Sequence, residues 1–137
     1  MTNRQTQLLR AAFLTGAITD ALAVIPMLSP AVAHLMMGFE DMNEPYRFAM
    51  GYAASLMTGW TALLLWAYQK PIERAFVAVL TILVIAGLAA IEIISVMYGM
   101  LPAARMIPTW ILQSILLGLF AYAYFYPSLK RRGRHTV

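Results

Sequence analysis

The sequence predicts an all-α polytopic membrane protein, a single domain over 1–137 folded as a four-transmembrane-helix bundle with both termini cytoplasmic. Three observations lead there. Hydrophobic residues make up 61% of the chain and charged residues 12%, against about 45–50% and about 25% in soluble domains. The apolar residues gather into four runs, each of the roughly 20 residues that a helix rising about 1.5 Å per residue needs to cross a bilayer. Lysine and arginine crowd the flanks of these runs on one side only, which orients a membrane protein with that side inward.

The first span is expected over 8–28, with Pro26 and Pro30 closing it. Ala31-Val32-Ala33 imitates a signal-peptidase site, but the preceding apolar run is longer than a signal core and contains Asp20, so the run is expected to stay as the first helix. An external loop follows over 29–47, in which 31–37 suits a short interfacial helix ended by Gly38, and 39–45 a turn-rich lid. The second span is expected over 48–69. Only Lys70, Pro71, Ile72, Glu73 and Arg74 separate it from the third, over 75–98, so these two helices must run antiparallel. The fourth is expected over 109–126, with Pro102 and Pro108 before it and Pro127 after it, since proline removes a helix donor and crowds the preceding turn. A basic tail over 127–137 ends the chain.

Arg4, Arg10, Lys70, Arg74, Lys130, Arg131, Arg132 and Arg134 fall on the side assigned to the cytoplasm, and Arg47 and Arg105 on the other. This bias argues against dual-topology insertion and suits a multi-pass protein of a cell membrane, such as the bacterial inner membrane. The tail would lie against anionic lipid headgroups. It accounts for most of the basic balance, so nucleic acid is not an expected partner.

Lipid tails are as apolar as leucine, so small residues mark where membrane helices approach. In the second span Gly51, Ser55 and Gly59 repeat every four residues beside Ala54, Thr58 and Ala62, and this helix is expected at the bundle centre. Ala12 and Gly16, Ala86 and Ala90, and Ser114 and Gly118 form similar faces on the other spans. Such faces serve packing within one chain, a homo-oligomer or another membrane subunit equally. The aromatic run Phe120, Tyr122, Tyr124, Phe125 and Tyr126, with Trp66 and Tyr68 at the same level, reads as an interfacial belt. The ten methionines follow no repeated ligand spacing and read as flexible packing rather than copper sites.

Asp20 and Glu92 are the acids within the spans. A charge at the bilayer centre costs at least about 2.5–3.5 kcal/mol, so each must be protonated, paired or facing water. Asp20 lies about 12 Å short of Leu28 and Glu92 about 9 Å short of Tyr98, which gives them a common depth. Gln113, Tyr52, Ser55 and Ser95 fall in the same outer half, so a polar, ligand-binding pocket is expected there. Above it the loop supplies a lid with His34, Glu40, Asp41, Glu44, Tyr46 and Arg47.

Several chemistries are excluded. Cysteine is absent, which removes thiolate metal sites, iron–sulfur clusters and cysteine nucleophiles. The two histidines, His34 and His135, fall on opposite sides and cannot clamp a haem. No G-x-S-x-G, H-E-x-x-H, P-loop or G-x-G-x-x-G motif is present, one carboxylate per span is thin for a metal, and no cofactor is expected.

The segment Asp20-Ala-Leu-Ala-Val-Ile-Pro26 is similar to the corresponding segment of the sigma-2 receptor and sterol-isomerase superfamily. That resemblance covers seven residues and implies a four-helix protein with an acidic pocket for lipophilic amines. The second span lacks the membrane carboxylate which that family carries there. Three roles remain open for the carboxylates: a site that binds or processes a lipophilic or amphipathic small molecule, as an enzyme or as a binder; a structural lock in an accessory subunit that packs through its small-residue faces; and a proton-coupled small-molecule transporter.

Overall fold

The computed structural model describes residues 3–38 and 43–132, the last five of these as backbone. It is helical throughout, with no strand among the described residues: α1 Asn3–Leu28, α2 Pro30–Met37, α3 Glu44–Gln69, α4 Phe76–Met97 and α5 Ala103–Arg132. Four of these, α1, α3, α4 and α5, are long and apolar enough to cross a membrane. Glu40 and Asp41 of the expected lid, the side chains of Lys130, Arg131 and Arg132, and all of Arg134 and His135 lie outside the described residues.

Helix limits follow local chemistry. Asn43 caps α3, accepting a hydrogen bond from the Tyr46 N–H at 3.1 Å, with Pro45 in the first turn where its missing donor costs nothing. The helix therefore starts a turn before the expected span. Gly38 ends α2 at φ 74°, its N–H donating to the His34 carbonyl, a left-handed cap that favours glycine. The short interfacial helix expected over 31–37 is thus present. Prolines behave less uniformly than expected: Pro26, Pro108 and Pro127 lie inside α1 and α5 instead of bounding them. A proline forfeits one intrahelical bond, and membrane helices accommodate this through neighbouring helices and local adjustment.

The bundle runs in space as α3, α1, α5, α4, with adjacent helices antiparallel and only a loose contact closing α4 back onto α3. Arg4 lies over the Tyr126 ring at 6.0 Å, so the start of α1 and the late turns of α5 meet at one face, hereafter the terminal face. The opposite face carries α2 and the α4–α5 turn and is hereafter the loop face.

The centre is α1, not the expected α3. α1 packs on α3, α5 and α2, whereas the most apolar stretch of α3 is 11% buried against 22–28% for the other three long helices. The small residues explain the difference. A Cβ added at Gly51 or Gly59 would meet nothing within 4 Å, and Gly118 is equally open; Ala86, Ala90 and Ser114 are exposed as well. A Cβ at Gly16, by contrast, would stand 2.9 Å from the Phe120 ring and 3.2 Å from Leu64. Among the described glycines of the long helices, this one brings helices together, because here a bulky side chain from a neighbour fills the space that glycine leaves.

Around that point sits the core: Leu9, Phe13 and Ala17 of α1, Leu64 and Ala67 of α3, Val77, Ala78 and Ile85 of α4, and Leu116, Phe120 and Ala123 of α5. The Phe13 and Phe120 rings are tilted at 57° with centroids 6.0 Å apart, a favourable aromatic arrangement. Phe120 is fully buried and belongs to this core, not to the interfacial belt. The remaining belt is held by arginines: Arg10 lies over Tyr68 at 5.8 Å, and Arg74 stacks on Trp66 at 3.6 Å while donating to its carbonyl.

Candidate functional site

The stripes that build the core continue towards the loop face, and there they turn polar. Asp20 follows Phe13 by seven residues and Gly16 by four, Glu92 follows Ile85 by seven, and Gln113 precedes Phe120 by seven. Each spacing keeps a residue on the face of the one before, so all three lie on inward stripes. Register places them at one level. Phe120 is level with Phe13 and Gly16, and seven residues on the antiparallel helix raise Gln113 by about 10 Å, the same climb that separates Phe13 from Asp20. The level of Glu92 is fixed by contact, since Gln113 Nε2 donates to Glu92 Oε1 at 3.0 Å.

Gln113 is 8% exposed, and both Asp20 and Glu92 are half-buried. The Glu92–Gln113 bond joins α4 to α5, and its second atoms are unused: Glu92 Oε2 and Gln113 Oε1 are buried without hydrogen-bond partners among the described residues. Trp110, one turn before Gln113, lies beside the Glu92 carboxyl. The indole Nε1 is buried and makes no hydrogen bond of ordinary geometry among the described residues. A buried polar group left without a partner costs about 1–3 kcal/mol. Two acceptors and one donor in that condition around a single side-chain pair form the largest such group among the described residues.

Asp20 faces the same interior from the other side of α5. Among the described residues it forms no hydrogen bond or ion pair, and α1 and α4 share at most a marginal contact. The structure thus brings Glu92 and Gln113 together and sets Asp20 at their height, without joining the two acids.

Other expected site residues are placed elsewhere. Tyr52 is 67% exposed and Ser55 is exposed with its hydroxyl donating to the Gly51 carbonyl at 3.0 Å; both lie on the outer side of α3, away from its buried residues Ala54, Leu64 and Ala67. Ser95 is on the Glu92 side of α4, but its hydroxyl donates to its own helix at Ile91. Sequence spacing left the rotation of Tyr52 and Ser55 about the helix axis open, and register through Gly16 and Leu64 sets Tyr52 about 12 Å nearer the loop face than Asp20. Trp110 was missed; its position three residues before Gln113 was the available signal.

Of the lid residues, His34 is exposed on α2 and Glu44 opens α3. Tyr46 and Arg47 line a cavity of about 160 Å³ with Pro26, Met27, Leu28 and Pro30, at the junction of α1, α2 and α3. Arg105, in the first turn of α5, holds α2, its guanidinium packed against the Gly38 cap so closely that a Cβ there would collide with it. Among the described residues, no group of three or more metal-ligating side chains occurs. Comparison with known protein families, characterised proteins and solved structures finds no match to this chain.

Proposed function

We propose that this is a multi-pass protein of a cell membrane, with both termini cytoplasmic, that binds the hydrogen-bond-donating head of an amphipathic small molecule at Glu92 and Gln113. The observation that carries this reading is the pair of buried, unpartnered acceptors, Glu92 Oε2 and Gln113 Oε1, within one interhelical hydrogen-bonded unit. An ammonium head suits them best. It offers several N–H donors and a positive charge to a carboxylate, the neighbouring Trp110 indole offers a π face to the cation, and Asp20 at the same level offers a second carboxylate. The hydrophobic remainder of such a molecule would stay in the bilayer around the bundle.

Titration of the detergent-solubilised protein with dodecylamine, dodecanol and dodecyltrimethylammonium, read as the shift in melting temperature, tests this. The primary amine should stabilise most, because the quaternary ion has no N–H donor and the alcohol no charge. Glu92→Gln keeps the shape but removes the carboxylate, and should weaken the amine by about tenfold, the value of one charge-assisted hydrogen bond. Failure of all three amphiphiles to stabilise the native protein would refute the reading.

A second reading is favoured by one observation: the exposed small-residue face of α3, where Gly51 and Gly59 stand open. Such a face fits closely against another membrane helix, as an accessory subunit or a homo-oligomer requires. Because the chain has no cysteine, Ser55→Cys gives a single disulfide reporter. Crosslinking through it in membranes would support this reading, and a purely monomeric product would count against it.

A further inference from the structure

We propose that the cavity between α1, α2 and α3 at the loop face is a binding site for the phosphate of a membrane lipid, with Arg47 as its anion ligand. Its lining comes from three elements: Pro26, Met27 and Leu28 at the end of α1, Pro30 at the start of α2, and Tyr46 and Arg47 in the first turn of α3. α1 ends and α3 begins here, and both are long and apolar enough to cross a membrane, so their ends suit the level of lipid phosphates and glycerol. The volume, about 160 Å³, is comparable to the roughly 150 Å³ cavity that holds a benzene ring. It takes a phosphodiester and its first carbons but not acyl chains.

The mixed lining selects a lipid over a free anion. Arg47 supplies a fixed charge and a fork of donors matched to phosphate oxygens, while four of the six lining residues are apolar and would be poor company for a fully hydrated ion. Exposed Leu22 and Ile25 on α1 and Phe48 on α3 carry apolar surface from this region into the bilayer, where the acyl chains would run.

Charge placement points the same way. Arg47 and Arg105 are the two arginines on the loop face, which has no lysine, against the strong bias of Lys and Arg to the other side. Arg105 is engaged on the α2 cap. Arg47 makes no ion pair among the described residues, not even with Glu44 one turn earlier; the Lys70–Glu73 pair at the terminal face is the ion pair described. A cation held at a cavity wall against the topological bias is accounted for by an anion that the membrane itself supplies.

The intact chain in detergent can be titrated with dioctanoylphosphatidylglycerol, with dioctanoylglycerol, which has the same chains and no phosphate, and with inorganic phosphate. Intrinsic tryptophan fluorescence and the shift in melting temperature are the readouts. The phosphatidylglycerol should bind, the other two should bind at least about tenfold more weakly, and Arg47→Gln should weaken the phosphatidylglycerol by about tenfold. Met27→Trp, which fills the cavity from its apolar wall and spares Arg47, should weaken it too, and serves as the test should Arg47→Gln fail to fold. Native-like binding by either variant, or inorganic phosphate binding as tightly as the lipid, would overturn the assignment. The dodecylamine response at Glu92 should be unchanged in both variants, so this site and the proposed amine site stand or fall separately.

Discussion

At the level of Phe120 the bundle has no room to spare, for Gly16 admits the ring edge, Phe13 stacks beside it and Leu64 closes the third side. Two turns nearer the loop face the same inward stripes carry Asp20, Glu92 and Gln113, and buried polar atoms lack partners. The terminal half is thus mainly apolar, aromatic and interlocked, with buried Gln5 and a Thr81 whose hydroxyl donates to its own helix, whereas the loop half has one interhelical hydrogen bond and several unsatisfied groups around it. In a membrane, association rests on packing and on interhelical hydrogen bonds, and here the two are separated along the bundle axis. The terminal half does the holding. The loop half is left free to carry groups that cost stability, which is where a binding site belongs.

Substitutions in the two halves should therefore differ in kind as well as size. Phe120→Ala removes the central ring and leaves a cavity beside Phe13 and Gly16; the expected loss is about 3–5 kcal/mol, measurable by unfolding in mixed micelles, and a loss no greater than that of a surface change would dissolve the distinction. Gln113→Leu removes the partner of Glu92 and leaves both carboxylate oxygens without a described partner, for an expected loss of about 1–3 kcal/mol by the same assay. Gly38→Ala forces a side chain into a left-handed backbone and against the Arg105 guanidinium; about 1–2 kcal/mol is expected, appearing as faster proteolysis at the loop face and not as a lower global melting temperature. Gly59→Ala lies on the open face of α3 and should leave the monomer unchanged or stabilise it by up to about 1 kcal/mol through helix propensity. A marked loss there would mean that another chain packs on this face.

How much of this could be read beforehand depends on which coordinate a residue type reports. Apolar run length gave the four long helices, and the short 31–37 helix followed from its position before Gly38. Depth was more legible: counting along the spans put Asp20 and Glu92 at a common depth with Gln113 in the same outer half, and in the structure Gln113 bonds to Glu92 and lies level with Asp20 by register through Phe13 and Phe120. Rotation about the helix axis was not legible for α3, because in lipid both faces of a helix are apolar and no polarity contrast marks the inward side. Spacing alone therefore groups Tyr52 and Ser55 with the inward polar residues and Gly51 and Gly59 with the packing residues, whereas all four lie towards the outer side of α3. Prolines misled for a related reason: a rule drawn from helices in water ends α5 near Pro108 and Pro127, whereas a membrane helix tolerates them internally.

The separation of holding from binding is tested most directly by melting Glu92→Gln and Phe120→Ala side by side, each with and without dodecylamine. The expected result is a Glu92→Gln protein that melts within about 1 kcal/mol of the native one yet has lost most of the amine-induced shift, and a Phe120→Ala protein that melts far earlier but keeps the shift in whatever fraction remains folded. The opposite pattern, with Glu92→Gln destabilised as strongly as Phe120→Ala and its amine response intact, would show that Glu92 holds the bundle together and does not bind the head of a ligand.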